Sequence, residues 1–350
     1  MLAPSYPGAE AFDARQPFEI HREPTSQLYP SLRLTRRIRE ISRGADVLQF
    51  GFALQSWLLA PYVLRKTGVP YVVFVHGAEV LLPLRIPGVA HLLTWGTLRQ
   101  AATVVAVSEH TATGVEHWTV GRIECEVLRP VADVEKFRRT ERARQRVRTR
   151  HGLGPQPTVL CVSRLTPRKG QDRLIDVLPH LSRRFGAKLL LVGSGGMENS
   201  LRRRARRRGV ANEVVFAGKV PETLLPAYYA AADVFAMPVR SRLLGAEEEG
   251  FGVVFVEAAA SRLPIVVGDS GGAAEAVKDG VTGYLVNGAS AREVRGALER
   301  LLEDDGLRQK MGAAARERAG TLHDVGVIGE RYQEVLQRAA RKAPTSAPPR

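Results

Sequence analysis

The sequence predicts an α/β fold with two domains, each built on a parallel sheet covered by helices. Short apolar runs of strand length alternate with helix-like stretches along the 350 residues. Such alternation is typical of parallel sheets with helices on both faces. A chain of this length with 44% hydrophobic content can bury two cores of ordinary domain size. The predicted strands are Ala45–Phe50, Val69–Val75, Ala102–Val107, Val127–Leu128, Thr158–Val162, Leu189–Val192, Val214–Phe216, Val234–Ala236, Ile265–Val267 and Gly283–Val286.

The first 44 residues contain no apolar run that predicts a buried strand, and the opening Met1–Gly8 has the composition of a loop. A doubly wound sheet normally starts with a strand and a glycine-rich turn at its centre. We therefore expect the N-terminal domain to lack its first strand. Two explanations stay open: the sheet is built without this unit, or the chain starts downstream of it.

A charged segment at Arg138–Arg150 is followed by the Gly- and Pro-rich stretch Gly152–Pro157, which indicates a linker between two sheets. We place the domain boundary near residue 154, giving an N-terminal domain at 1–153 and a C-terminal domain at 154–320. The tail at 340–350 is rich in Pro, Ala and Ser and is expected to be disordered.

The net charge of +15 leaves an anionic membrane or a solvated basic face open, whereas nucleic acid is disfavoured because no RNA- or DNA-binding motif accompanies the arginines. In Leu32–Arg43, apolar and basic residues alternate at helical spacing. This helix either lies on a membrane surface or packs on the core with its basic face exposed. No apolar run could span a bilayer and no signal peptide pattern opens the chain. We expect a cytoplasmic protein, with a peripheral position on the inner face of the plasma membrane left open.

The sequence predicts no metal site. Cys125 and Cys161 lie in strand-like contexts, where thiols are usually inert, and neither CxxC nor HExxH occurs. No Asp-x-Asp stands in a loop where it could hold Mg²⁺ against a diphosphate. A basic clamp together with a helix terminus can replace such a metal.

Two carboxylates flank a glycine turn and an apolar run in the segment Glu249–Glu257. If a helix starts after Gly252, the backbone N–H groups of Gly252, Val253 and Val254 can bind an anion such as a pyrophosphate. The flanking carboxylates can then accept hydrogen bonds from sugar and ribose hydroxyls. A solvated helix has the same spacing, but the apolar strand that follows from Pro264 argues against it.

The loop Ser163–Asp172 follows a predicted strand, at the end where ligands bind in open α/β sheets. Arg164 and Lys169 could clamp a diphosphate with charge-assisted bonds worth about 1.5–3 kcal/mol each. Arg168 is expected to point to solvent. Beyond the next strand, Gly193 and Ser194 form a turn in which glycine permits close approach to a ligand.

His76 ends another predicted strand, and a structural role and a functional role for it are equally supported. No GxGxxG or Walker sequence occurs, which disfavours dinucleotide redox chemistry and ATPase activity.

With these residues in view, the chain resembles retaining glycosyltransferases of family 4, which have the two-domain GT-B fold. The segments "SRLTPRKGQD", "LLLVGSGGMENSLRR", "AAADVFAMPVR", "EEEGFGVVFVEAAA", "DSGGAAEAV" and "TGYLV" follow one another in family order. The segment "HGAEV" at His76 resembles the acceptor-side domain. Within the family, "PRKGQD", "AMPVR" and "EGFG" are most similar to phosphatidylinositol mannosyltransferases and related enzymes that use GDP-mannose.

The resemblance implies two Rossmann-like domains facing each other across a cleft, with the C-terminal domain binding the nucleotide sugar. A C-terminal helix at 321–339 would cross back to the N-terminal domain. Members of the family open with a strand and a Gly-Gly loop, and this sequence offers neither. Arg262 stands where the family usually has glycine, which suggests an altered turn.

Residue by residue, the resemblance implies that Arg164 and Lys169 neutralise the diphosphate and that Glu249 holds hydroxyls of the donor sugar. Glu257 would bind the ribose, and His76 would lie beside the donor sugar at the reaction centre. The configuration of the sugar would be retained, without a required metal.

The remaining donor contacts are implied in the same way. The segment Phe251–Val254, which comprises Phe251, Gly252, Val253 and Val254, would offer amides to sugar and phosphate. Lys219 and Val220 lie where the family contacts the base.

Four functions stay open at this stage. The first is transfer of mannose from GDP-mannose to a lipid-linked or polyol acceptor such as a phosphatidylinositol mannoside. The second is transfer from another nucleotide sugar, such as a UDP-linked one. The third is nucleotide-sugar binding without turnover, which the missing opening strand makes realistic. The fourth is a basic scaffold on a membrane surface.

Overall fold

The computed structural model describes residues 1–25, 28, 31–77, 89–242 and 247–342. They form two compact units. The N-terminal unit contains Met1–Ala106, Ala112–Glu126 and the chain from Gln333 onward, and the C-terminal unit contains Val107–Thr111 and Val127–Tyr332.

The described residues form twelve strands and fourteen α-helices. The strands are β1 Leu2–Pro4, β2 His21–Glu23, β3 Leu48–Phe50, β4 Tyr71–Val75, β5 Thr103–Ala106, β6 Cys125–Val127, β7 Thr158–Val162, β8 Lys188–Val192, β9 Val214–Gly218, β10 Val234–Met237, β11 Ile265–Gly268 and β12 Gly283–Val286. The helices are α1 Ala9–Asp13, α2 Leu32–Ile41, α3 Ala53–Ser56, α4 Leu59–Thr67, α5 Val89–Gln100, α6 Glu109–Trp118, α7 Glu141–Arg150, α8 Gln171–Phe185, α9 Glu198–Arg207, α10 Leu225–Ala231, α11 Val253–Ala260, α12 Ala291–Glu303, α13 Asp305–Leu322 and α14 Val325–Arg341.

The N-terminal unit contains a four-stranded sheet, ordered β3-β4-β5-β6, and a separate parallel pair, β1-β2. The sequence predicted no buried strand before Ala45, and the two short strands that precede it lie outside the four-stranded sheet, with β1 only half-buried. Leu2 pairs with His21 and Pro4 with Glu23, so β1 forms although its sequence has no apolar run. Backbone pairing with a second strand nineteen positions away stabilises it, and hydropathy does not detect such pairing. A single glycine, Gly8, with φ of +84°, follows β1.

The helix α2 packs against the core of the N-terminal unit. Ser31 Oγ accepts a hydrogen bond from the Leu34 N–H at its start. Leu34 and Ile38 are buried against Leu59 and Val63 of α4. Four arginines on its other side are exposed: Arg33, Arg36, Arg39 and, just beyond the helix, Arg43. The helix therefore packs on the core and leaves a basic face exposed.

The C-terminal unit is built on a six-stranded parallel sheet ordered β12-β11-β10-β7-β8-β9. Its strands are continuous apolar runs, and all five residues of β7 are buried. The strand order reverses between β7 and β10, the first and fourth strands of this unit. This is the doubly wound arrangement, in which ligands bind at the carboxyl ends of the strands beside the reversal.

Two further features differ from expectation. Arg262 adopts φ of +60°, the left-handed conformation that favours glycine. Its turn is therefore not altered but keeps the conformation of a glycine turn, with strain. Of the tail predicted from Ala340, residues 340 and 341 belong to α14, and residues 343–350 lie outside the described part.

Burial raises the pKa of Cys161 to about 11 and that of the half-buried Cys125 to about 12, and both are free thiols. No helix in the described ranges combines the length and apolarity needed to cross a bilayer.

Candidate functional site

The loops that follow β7 and β10 flank the point where the strand order of the C-terminal unit reverses. The loop after β7 carries Arg164 and Lys169, and the loop after β10 carries Glu249. The two loops touch, because a Cβ placed on Gly170 would lie 2.1 Å from the Pro238 carbonyl oxygen. The fold thus brings together groups that lie eighty positions apart in the sequence.

The turn after β8 packs directly on the loop after β7. A Cβ on Gly193 would lie 2.0 Å from the Ser163 carbonyl oxygen, and Gly193 has φ of +125°. The Leu165 N–H donates to the Ser194 carbonyl oxygen at 3.0 Å. The close approach predicted for this glycine is therefore made to the neighbouring loop, and it fixes the backbone beside Arg164.

A buried charged cluster lies at the centre of the site. Glu249 Oε2 accepts hydrogen bonds from Lys169 Nζ and, at 2.6 Å, from Arg168 Nη1. Glu249 and Lys169 are each less than a tenth exposed. Burial lowers the pKa of Lys169, and the Glu249 carboxylate acts in the opposite direction.

The expectation that Arg168 points to solvent is wrong. Besides Glu249 it donates to the Glu248 carbonyl oxygen at 3.2 Å. The short 3-10 turn Pro167–Lys169 directs both basic side chains toward the loop after β10. Arg164 differs from both: its carbonyl oxygen accepts a hydrogen bond from Gln171 Nε2 at 3.0 Å, but its side chain is exposed and makes no hydrogen bond or ion pair to a described residue.

Behind Glu249, a polar cluster that the sequence did not predict holds the loop in place. Glu248 accepts hydrogen bonds from Ser241 Oγ at 3.0 Å and pairs with His110 Nε2 at 2.9 Å. The Glu275 carboxylate accepts the N–H groups of Glu109 and His110 at 3.1 and 2.8 Å. The run of three glutamates before Gly250 is the only local signal for it.

The helix α11 begins at Val253, as the glycine turn predicts. Gly252 precedes it with φ of +91° and no side chain caps this end. The N–H groups of Val253 and Val254 find no acceptor among the described residues, and Val253 is 41% exposed. Unpaired amides at a helix start can bind an anion.

Phe251 anchors this helix start to the core. Its side chain is 2% exposed and packs against His323 at a ring distance of 5.3 Å. Burial lowers the pKa of His323 to about 4, and His323 Nδ1 lies 2.8 Å from the Pro130 carbonyl oxygen. The ring of Phe251 is thus not available to a ligand, whereas its backbone remains in the loop.

Glu257 lies in α11 with one carboxylate oxygen already engaged. Tyr229 donates its hydroxyl to Glu257 Oε2 at 2.6 Å. Burial raises the pKa of Glu257, and the hydrogen bond from Tyr229 lowers it.

The remaining predicted residues lie at two other places. Lys219 is exposed and Val220 packs on the core of the C-terminal unit, both just after Gly218 at the end of β9. His76 belongs to the N-terminal unit, where its Nε2 lies 2.9 Å from the Gly51 carbonyl oxygen and its ring 4.5 Å from that of Phe52. These contacts fit a structural role for His76, and its role at a reaction centre stays a prediction.

Among the residues that the structure describes, no three His, Cys, Asp or Glu side chains form a group that could hold a metal ion. The cations at the reversal point are arginine and lysine side chains.

Two family profiles match the chain. The one described as Glycosyltransferase Family 4 matches residues 1–136, and the one described as Glycosyl transferases group 1 matches residues 143–318.

Relatives of known activity align along nearly the whole chain. A GDP-mannose-dependent alpha-(1-6)-phosphatidylinositol monomannoside mannosyltransferase of Mycolicibacterium smegmatis is 38% identical, over 98% of this chain and 91% of its own length. A protein of the same description from Mycobacterium tuberculosis is 39% identical, over 91% of this chain and 83% of its own length.

Solved structures share the fold. Anabaena HepE, solved with UDP and glucose, superimposes with a TM-score of 0.82 at 22% identity, over 96% of this chain and 91% of its own. A glycosyltransferase from Rickettsia africae gives a TM-score of 0.80 at 16% identity, over 97% and 90%.

Proposed function

The chain belongs to glycosyltransferase family 4, and from that premise we propose that it transfers mannose from GDP-mannose to a lipid-linked acceptor, a phosphatidylinositol mannoside. The observation that carries the proposal is the similarity to a mannosyltransferase of that description over 98% of this chain. The reversal-point site supports it, because an anion-binding helix start, basic side chains and two carboxylates suit a nucleotide diphosphate-sugar.

The diphosphate of the donor would bind to Arg164 and to the N–H groups of Val253 and Val254. Arg164 is exposed and makes no ion pair to a described residue, so its guanidinium can turn to a phosphate without breaking a contact. Lys169 would bridge the phosphate and Glu249, since an ammonium has three donors.

The carboxylates would recognise the two sugars. Glu249 would accept hydrogen bonds from mannose hydroxyls, while Arg168 and Lys169 donate to its Oε2 and fix its orientation. Glu257 would bind the ribose through Oε1, the oxygen that Tyr229 leaves unoccupied. Lys219 and Val220 would contact the guanine.

Transfer with retention requires the bond from the mannosyl C1 to the phosphate oxygen to break, and a bond from the acceptor oxygen to C1 to form on the same face. The acceptor proton passes to the departing phosphate oxygen. The enzyme's contribution is electrostatic stabilisation of the departing GDP and positioning of the acceptor. The cations of Arg164 and Lys169 supply this stabilisation without a metal.

The donor is tested by a thermal-shift and calorimetric screen against GDP, UDP, ADP and their sugars. A ligand at 100 times its dissociation constant stabilises the protein by about 2.7 kcal/mol, and we expect this for GDP and GDP-mannose. Arg164→Ala should lower GDP affinity by about 10- to 150-fold. Arg183→Ala, an equally exposed arginine on α8, is the matched control. Equal binding by both variants, or selective binding of UDP, would contradict the proposal.

Retention and metal independence have their own tests. Proton NMR of the product should show the α configuration of the donor, and transfer should persist in excess EDTA. A β-linked product, or activity restored only by a divalent cation, would refute these two parts and leave the donor assignment standing.

Peripheral membrane contact on the cytoplasmic side is a further part of the proposal, supported by the exposed arginines of α2. The double variant Arg36→Glu and Arg39→Glu should reduce cosedimentation with vesicles that contain phosphatidylinositol. Arg203→Glu with Arg206→Glu on α9, also exposed, is the matched control. Equal cosedimentation of the two double variants would exclude α2 as the contact.

A further inference from the structure

Tyr229 lies inside the C-terminal unit, with its hydroxyl directed at the helix that carries the donor site. Its ring is fully buried, edge-on to Phe137 at 5.5 Å and stacked on Phe235 at 5.9 Å. The hydroxyl lies 2.6 Å from Glu257 Oε2 and 3.3 Å from the Val254 carbonyl oxygen. Both acceptors belong to α11, whose first N–H groups are unpaired.

The hydroxyl is not needed for packing, because a phenylalanine would fill the same aromatic cluster. Its contribution is polar: it occupies one oxygen of a carboxylate and leaves the other available. Glu257 Oε1 accepts no hydrogen bond from a described residue. This oxygen is not fully enclosed by protein. The rigid ring therefore determines which way the carboxylate faces.

We propose that Tyr229 is the positioning residue for nucleoside recognition, holding Glu257 so that Oε1 receives the paired hydroxyls of the donor ribose. This rests on the proposed function. The second contact, to the Val254 carbonyl oxygen, ties the same hydroxyl to the turn whose amides would bind the diphosphate. Ribose and diphosphate recognition are thus held in one rigid piece.

The proposal has a consequence for pH. Burial raises the pKa of Glu257, whereas the hydrogen bond from Tyr229 lowers it. The other charged groups that act on Glu257 are Glu222, which raises its pKa, and Lys136, which lowers it. Without the hydroxyl the pKa of Glu257 rises further, so the ionised form is lost at a higher pH as the solution is acidified. As the pH falls, a protein without the Tyr229 hydroxyl should therefore lose donor affinity at a higher pH than the wild type.

The test is Tyr229→Phe, which keeps the ring, with calorimetry of GDP, 2′-deoxy-GDP and inorganic pyrophosphate. We expect GDP affinity to fall about tenfold, and the preference for GDP over 2′-deoxy-GDP to shrink by a similar factor. Pyrophosphate affinity should not change, and in turnover the KM for the donor should rise at constant kcat. The acid limb of GDP binding should move to higher pH.

Tyr228→Phe is the matched control, because Tyr228 is the adjacent buried tyrosine and its hydroxyl lies 3.0 Å from His151 Nε2 instead. It should leave the GDP preference unchanged. In a Glu257→Gln background, Tyr229→Phe should have no further effect on that preference. An unchanged preference in Tyr229→Phe, or equal losses in both tyrosine variants, would overturn the inference. If the wild-type protein binds no GDP, the proposed function itself fails.

Discussion

Glu249→Gln removes the one negative charge that lies between Arg168 and Lys169. The side chain keeps its size, but the buried ammonium of Lys169 loses the carboxylate that opposes its desolvation. A hydrogen bond to a charged partner is worth about 1.5–3 kcal/mol. The substitution should therefore lower a lysine pKa that burial has already lowered.

The effect on activity has a defined sign. In the proposed function, Lys169 would stabilise the departing diphosphate only while it is protonated, and protonation is lost as pH rises through its pKa. A lower pKa moves that loss to lower pH, so the alkaline limb of kcat/KM should shift to lower pH. Loss of the proposed hydrogen bonds from Glu249 to mannose should add a decrease at every pH of about 10- to 150-fold.

The assay is donor kcat/KM at saturating acceptor, measured from neutral to alkaline pH. Glu317→Gln, an exposed glutamate on α13, is the control and should match the wild-type profile. Adding Lys169→Arg to Glu249→Gln should remove the shifted limb, because arginine stays protonated throughout. A Glu249→Gln profile with the wild-type alkaline limb would refute the coupling of the two side chains.

Three further predictions concern stability. The free energy of unfolding of the wild-type protein should fall by up to about 3 kcal/mol between about pH 6.5 and 4, because buried His323 stays neutral while the unfolded chain gains a proton. In His323→Asn, the urea midpoint should not show this fall. A variant whose midpoint depends on pH as the wild type's does would contradict the prediction. Arg262→Gly should stabilise by roughly 1 kcal/mol by relieving the left-handed strain, whereas Arg206→Gly inside α9 should destabilise by about as much; equal destabilisation by both would argue against strain. Gly252→Ala should destabilise the protein by about 2 kcal/mol and weaken GDP binding. The new Cβ would lie 2.8 Å from the Phe255 ring, and the backbone has φ of +91°, which L side chains rarely adopt. An unchanged melting temperature and unchanged GDP affinity would show that the helix start tolerates a side chain.

The sheet of the C-terminal unit could be predicted because each strand is an apolar run whose pattern is local. Runs such as Leu189–Val192 are long enough to be recognised without their neighbours. The strand Leu2–Pro4 could not, because it is short, contains proline and depends on pairing with His21–Glu23. A strand that is buried on both faces is a continuous apolar run and can be recognised in the sequence, whereas a short strand pair outside the main sheet has no such pattern.

For the candidate site, too, local sequence pattern predicted some residues, whereas contacts between distant residues were not predicted. Position after a strand selected Lys169, and position before a glycine turn and an apolar run selected Glu249. The predicted orientation of Arg168 was wrong because its partner, Glu249, lies 81 positions away in the sequence. Nothing in Pro167–Lys169 indicates which side chain Arg168 contacts. Tyr229 carries no signal either, since an apolar helix accepts tyrosine or phenylalanine equally.

The two native thiols, one buried and one half-buried, make this chain convenient for spectroscopy. With pKa values of about 12 and 11, Cys125 and Cys161 hold almost no thiolate at neutral pH, and the thiolate is the form that reacts with maleimides. A single cysteine introduced at Glu222, which is 79% exposed and two residues beyond Val220, would be labelled selectively. A fluorophore at that position could follow nucleotide arrival in real time in the otherwise unaltered protein.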